Sequence, residues 1–248
     1  MLRVEALYKA FAALQVTNGV SLHLPAGRRH AVIGPNGAGK TTLFHLITGE
    51  VRPDRGRVHI AGTDATRMAP ERRVKLGLAR SFQRNDLFPS LSVRENLELA
   101  LLQAEGLAHR VLRPARAYGA LIEKGEALAL KVGLAEQLDQ RVADLPYGSQ
   151  RQLEIGLALA LAPRLLLLDE PTAGMSPEET RRMLALIHDL PADLAILIIE
   201  HDMAIVFDVA ERISVLNYGE VILEGTPEEV RASREVRASY LGERRNRA

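Results

Sequence analysis

The 248-residue chain contains no cysteine. That excludes a disulfide framework, a thiolate metal centre and a cysteine nucleophile, and it fits a reducing compartment. The chain also lacks an excess of either charge: 32 Lys and Arg stand against 31 Asp and Glu, for a formal net charge of +1. A balance of this kind gives no reason to expect nucleic acid as the main partner. No apolar run approaches the ~20 residues needed to cross a bilayer. The opening Met1-Leu2-Arg3-Val4-Glu5 has no signal-peptide core, so the chain is not expected to span a membrane by itself. Tandem repeats and low-complexity segments are missing as well. What remains is an ordinary globular composition, 47% hydrophobic, sufficient to bury one large core or two interleaved ones.

Against that background one segment stands out. Gly34-Pro35-Asn36-Gly37-Ala38-Gly39-Lys40-Thr41 fits G-x-x-x-x-G-K-[ST], the loop that grips nucleotide phosphates. Ala31-Val32-Ile33 enters it as a short apolar strand, and Thr41-Thr42-Leu43-Phe44-His45-Leu46-Ile47 leaves it with helical character. A triphosphate crowds negative charge onto small oxygens, so its site must offer many donors in little space. Gly34, Gly37 and Gly39 can reach positive φ and leave no Cβ in the way, which lets backbone amides converge on one anion. Lys40 adds a point charge, the following helix adds the positive end of its dipole, and the Thr41 hydroxyl is placed for Mg²⁺.

The rest of the chain reads as α/β with a helical interruption. Short strands are expected over residues 2–33, with Pro25-Ala26-Gly27 as a turn, and again at Gly56 to Gly62 and around Ala79 to Gln83. From Ser92 to about Val142 the pattern is helical, opening with the capping box Ser92-Val93-Arg94-Glu95 and broken near Leu112-Arg113-Pro114. A helix is expected over 149–162, followed by two continuous apolar runs, Leu165 to Leu168 and Ile196 to Ile199, which suit strands covered on both faces. Ser176-Pro177-Glu178-Glu179 and Thr226-Pro227-Glu228-Glu229 each open a helix with a capping box and proline at the first helical position. Asp169 and Glu170 close the first of the apolar strands, where a buried sheet delivers polar groups to the crevice beyond its carboxyl edge. Asp169 is expected to hold the metal shell and Glu170 to polarise an attacking water.

With these parts in order, nearly the whole chain resembles the ATPase subunits of ABC transporters. The resemblance implies a P-loop NTPase core of RecA-like α/β type, with an N-terminal antiparallel β subdomain and an inserted α-helical subdomain. The ATP-binding core would comprise 1–84 and 148–248, and the insertion 85–147. It also implies ATP and Mg²⁺ as ligands. Thr42 completes the phosphate loop, Gln83 in Ser81-Phe82-Gln83-Arg84 is similar to the Q-loop glutamine that reaches the metal, and His201 is similar to the switch histidine at the γ-phosphate. Ala173 to Ser176 takes the D-loop position. Phe11, with Tyr8 as the alternative, corresponds to the aromatic that stacks on adenine. The signature departs from the common LSGGQ form: Leu145-Pro146-Tyr147-Gly148-Ser149-Gln150 puts Pro146 where a serine hydroxyl would stand, leaving Tyr147, Gly148, Ser149 and the helix N-terminus to meet phosphate.

The family pairs two ATPase chains head to tail, so a second copy or a homologous chain is implied. Permease subunits and, through them, a solute-binding protein would complete the assembly at the cytoplasmic face of the cell membrane. Phe88 and Glu95, at the start of the insertion, would meet the permease. Arg80 to Gln83 with Leu87-Phe88-Pro89, the stretch Tyr147 to Ile155, and the ending Tyr240-Leu241-Gly242-Glu243 look like the branched-chain amino acid importers, a group that also includes urea and amide importers. Two other classes stay open: a lipid or export ATPase with the same engine, and a soluble ATPase acting as a mechanical switch on nucleic acid or ribosomes.

Overall fold

The computed structural model describes residues 1–81, 87–107, 119–234 and 236. The expected break near Leu112 to Pro114, the ending Tyr240 to Glu243 and Gln83 lie outside these residues. In chain order the elements begin with β1 (Leu2–Phe11), β2 (Leu14–Leu24), β3 (Arg29–Ile33), α1 (Lys40–Thr48), β4 (Arg55–Ile60), β5 (Thr63–Asp64), α2 (Pro70–Val74) and β6 (Leu78–Arg80). They continue with α3 (Val93–Ala104), α4 (Gly119–Lys131), α5 (Tyr147–Ala160), β7 (Leu165–Asp169), α6 (Pro177–His188), β8 (Ala195–Ile199), α7 (Met203–Val209), β9 (Arg212–Asn217), β10 (Glu220–Gly225) and α8 (Pro227–Ala232). The chain divides into two units, 1–80 with 164–170 and 191–248, and 81–163 with 171–190.

The first unit contains two sheets. One is antiparallel, in the order β2-β1-β4-β5; the other has six strands, β10-β9-β3-β8-β7-β6, parallel except for β10 at its edge. Both β7 and β8 are buried at every position, as their unbroken apolarity requires. Strand β3 shows how the larger sheet is covered on both faces. Val32 joins a cluster with Phe44, Leu46 and Leu167, whereas its neighbours Ala31 and Ile33 join another with Val206, Ile213 and Val230. Each such buried Leu, Ile or Phe stabilises the unit by about 1.5–3 kcal/mol.

The second unit is helical, with α3, α4, α5 and α6 packed in succession. Gly156 permits close packing with α3: a Cβ there would lie 3.2 Å from Leu97 Cδ2 and 3.4 Å from Val132. All three expected capping boxes are present, at Ser92, Ser176 and Thr226. The helix expected over 149–162 runs instead from Tyr147 to Ala160, because Pro146, extended with ψ 151°, serves as its N-cap.

Candidate functional site

Parallel register gathers the chemistry at one sheet edge. Val32 of β3 pairs with Ile199 of β8, and Asp169 of β7 pairs with the same Ile199. Gly34, Glu170 and Glu200, the residues that follow, therefore emerge together beyond the strands' carboxyl ends, where open α/β sheets place their sites. Each loop glycine answers a different constraint. A Cβ on Gly34 would lie 2.3 Å from the Leu216 carbonyl oxygen, and one on Gly39 would lie 2.5 Å from that of Val16. Gly37 has open space around it but takes φ 80°, and Gly39, the N-cap of α1, takes φ 101°. Gly34 is not among the positive-φ residues. It is needed for close approach, not for the left-handed backbone expected of it.

Asn36 and Gly37 are exposed at the mouth of the loop, while Ala38 and Lys40 are buried. Pro35 accepts from the Ala38 amide at 3.1 Å, tightening the turn. The Lys40 ammonium donates to the carbonyls of Gly34 at 2.7 Å and Pro35 at 3.1 Å. Burial lowers its pKa below the usual lysine value, and the carboxylates of Glu170 and Asp169 act to raise it. Thr41 is exposed and Thr42 half-buried on the first turn of α1.

Asp169 is held by a residue that the sequence reading did not place in the site. Arg80, on β6 beside β7, donates from its guanidinium to Asp169 Oδ2 at 2.9 Å, with both side chains buried. Its other terminal nitrogen pairs with Glu50 at 2.9 Å, and Glu50 also accepts from the Thr48 hydroxyl at 3.0 Å. Burial raises the Asp169 pKa, an effect that Arg80 opposes. Among the described residues, Asp169 Oδ1 is buried without a hydrogen-bond partner. A buried carboxylate oxygen and the Thr41 hydroxyl are both hard oxygen donors, of the kind that suits Mg²⁺. Among the described residues no group of three or more His, Asp or Glu could hold a metal, so such an ion would draw further ligands from the nucleotide.

Glu170 follows Asp169 with φ 47°, a left-handed backbone rare for a non-glycine residue, and its amide donates to Ile199 at 2.9 Å. His201 Nδ1 lies 3.6 Å from Glu170 Oε1 and 3.6 Å from Glu200 Oε2. Glu200, also missed from sequence, is fully buried and accepts from the His201 amide at 2.9 Å, fixing the turn that carries the imidazole. Phe11 is 47% exposed at the end of β1, with the Lys9 ammonium 5.5 Å from its ring centroid, whereas Tyr8 packs beside Gly19.

In the helical unit, Tyr147, Gly148 and Ser149 form the first turn of α5. Tyr147 is exposed, Ser149 is buried, and Arg151 donates to the Tyr147 hydroxyl at 2.9 Å. The Gly148 amide, expected to be presented to phosphate, instead donates to Glu179 Oε1 at 2.9 Å. A Cβ on Gly148 would meet that glutamate at 2.7 Å.

The sequence model of the ABC transporter family matches residues 17–173. This chain belongs to the ABC transporter family. A second model, of the branched-chain amino acid ATP-binding cassette transporter, matches residues 220–245. Among ABC relatives, the chain is 37% identical to the high-affinity branched-chain amino acid transport ATP-binding protein LivG of Salmonella typhimurium, over 98% of both chains. It is 36% identical to the corresponding BraF of Pseudomonas aeruginosa, again over 98% of both. The lipopolysaccharide export system ATP-binding protein LptB of Acidithiobacillus ferridurans is 34% identical over 98% of this chain and 97% of its own. Among solved structures, the ADP conformation of an ATP-binding cassette from an ABC transporter superposes with a TM-score of 0.85, at 29% identity over 98% of each chain. The ABC cassette fold, with its antiparallel β subdomain, is thus the fold of this chain.

Proposed function

We propose that this ABC ATPase is the ATP-hydrolysing subunit of an importer for branched-chain amino acids. The match of residues 220–245 to the branched-chain cassette model, lying outside the shared nucleotide-binding region, carries that choice. The alignments with LivG and BraF over almost the full length support it.

In the proposed mechanism the loop Gly34 to Thr42 cradles the phosphates, and Lys40 exchanges its loop carbonyls for phosphate oxygens. Phe11 stacks on the base. Thr41 and Asp169 would hold Mg²⁺, with Gln83, outside the described residues, as a further ligand. Such an ion would supply positive charge to offset the negative charge that develops on the phosphate oxygens. Glu170 takes a proton from the attacking water, and His201, held by Glu200, steadies the γ-phosphate side. Tyr147, Gly148 and Ser149 would meet the nucleotide of a second ATPase chain in a head-to-tail dimer, which requires Gly148 to give up Glu179.

The division of labour proposed is an ATP-binding part, 1–84 with 148–248, and a helical part, 85–147, that moves with the dimer. Phe88 is 55% exposed, on a turn pinned by two hydrogen bonds to Asn96, and would seat a permease subunit. Glu95 is spent in its capping box and is a weaker docking candidate. No helix among the described residues is long and apolar enough to cross a membrane, so the membrane path would belong to the permease, with a solute-binding protein delivering cargo from the other side.

The test is affinity purification of the chain from detergent-solubilised membranes, followed by mass spectrometry and by ATPase assays of the reconstituted complex. Co-elution of polytopic permease subunits, and turnover stimulated by a binding protein loaded with leucine, isoleucine or valine, is the expected result. Recovery of lipid-export components would favour the LptB-like reading, and recovery of soluble partners alone would refute a transporter subunit.

A further inference from the structure

Away from the phosphate loop, the first unit carries a concavity of about 980 Å³ between the turn before β4, the strand β4, and the segment from β5 into α2. Its lining includes Arg52, Arg55, Arg57, Arg67 and Arg72, all exposed. None of the five has an ion pair or a side-chain hydrogen bond among the described residues. Two carboxylates share the lining, but both are already engaged. Asp54 accepts from the Lys9 ammonium at 2.8 Å and the Ala10 amide at 2.8 Å, and Asp64 accepts from the Thr66 amide at 2.9 Å. Three positive charges are therefore in excess at one depression, in a chain whose net formal charge is +1.

The wall of this concavity is also firmly built. Arg73, fully buried beneath it, donates to the carbonyls of Leu46 at 2.7 Å, Ile47 at 2.6 Å, Met68 at 3.1 Å and Thr66 at 3.2 Å. The first two of those carbonyls lie at the C-terminal end of α1, where the helix dipole is negative and suits a buried cation. Arg73 thus fixes the loop that carries Arg67 and Met68 against α1. Like charges that line one concavity repel one another, and a polyvalent anion relieves that repulsion. Guanidinium groups recognise phosphate oxygens in forked pairs.

The geometry points to a second anion site in this chain, for a ligand carrying one or more phosphate groups, formed by these five arginines and distinct from the phosphate loop. Phosphate of this kind comes either free in solution or on a lipid headgroup, and two assays on the full chain separate the sources. In the first, inorganic pyrophosphate is titrated calorimetrically into protein saturated with ADP, so that the phosphate loop is filled. In the second, the protein is sedimented with phosphatidylglycerol vesicles and with neutral phosphatidylcholine vesicles. The variants are R52Q/R67Q/R72Q and a control of equal charge, R28Q/R181Q/R182Q. Saturable binding is expected in one assay, weakened at least tenfold in the first variant and retained in the second, with ADP affinity and unfolding midpoint unchanged in both. Absence of binding in both assays, or equal loss in the two variants, overturns the site.

Discussion

Glu170 leaves β7 in a left-handed backbone, and conformations of this type cost of order 1–3 kcal/mol for a side-chain-bearing residue. The geometry places its carboxylate beside His201 and beyond the buried Asp169. Replacing Glu170 with glutamine keeps shape and hydrogen bonding but removes the base. Turnover should fall by about 10²–10⁴-fold while ATP still binds, measured by phosphate release alongside fluorescent-nucleotide titration; wild-type turnover would remove Glu170 from its role. Arg80 makes a different case. The R80M substitution removes the hydrogen-bonded counter-charge of the buried Asp169, which should cost ~3–5 kcal/mol in urea unfolding. A cost near zero would mean that Asp169 finds another partner. Phosphate-loop glycines, the lysine and the Asp-Glu pair were legible in sequence because they are contiguous and chemically distinctive. The Arg80–Asp169 pair was not, since its members lie 89 residues apart and no local pattern joins them.

Among the elements, the helices that announced themselves best were those opened by capping boxes, because Ser or Thr followed three residues later by Glu satisfies backbone donors locally. Strands β7 and β8 were legible for a related reason: burial on both faces demands an apolar residue at every position. The start of α5 was misplaced by two residues because its cap is a proline acting through backbone geometry, with no side-chain acceptor to read. The same helix start hid a longer-range link. Glu179 caps α6 by accepting from the Ser176 amide at 2.9 Å, and it also accepts from Gly148, 31 residues away. The two helix N-termini therefore share one carboxylate. G148A should destabilise the protein by ~1–3 kcal/mol through overlap with Glu179. In an E179A background that cost should shrink by more than ~0.5 kcal/mol, the coupling expected of residues in contact. Thermal unfolding of the four proteins measures it, and additive costs would show that the overlap relaxes some other way.

Across the whole molecule, stability depends on a group in the middle of the larger sheet. His30, on β3, is 1% exposed and hydrogen-bonded at 2.8 Å to the Ser214 hydroxyl of β9. Burial lowers its pKa to about 4, with Arg212 and His23 acting in the same direction and Glu224 of β10 opposing them. Nothing in the sequence marks this residue: one histidine in a short apolar strand acquires its character only when β9 and β10 close over it. Because the folded pKa lies below the unfolded value near 6.5, the unfolded chain binds the proton more readily between the two. His30 therefore contributes its full stability above pH 6.5, and the contribution is lost as pH falls toward 4. From pH 7 to pH 5 the loss is ~2 kcal/mol. In H30Q the amide can still reach Ser214 but does not titrate in this range, so its urea midpoint should fall less over the same interval. Parallel pH profiles for wild type and variant would show that His30 is charged in the folded protein, or that another group governs its acid stability.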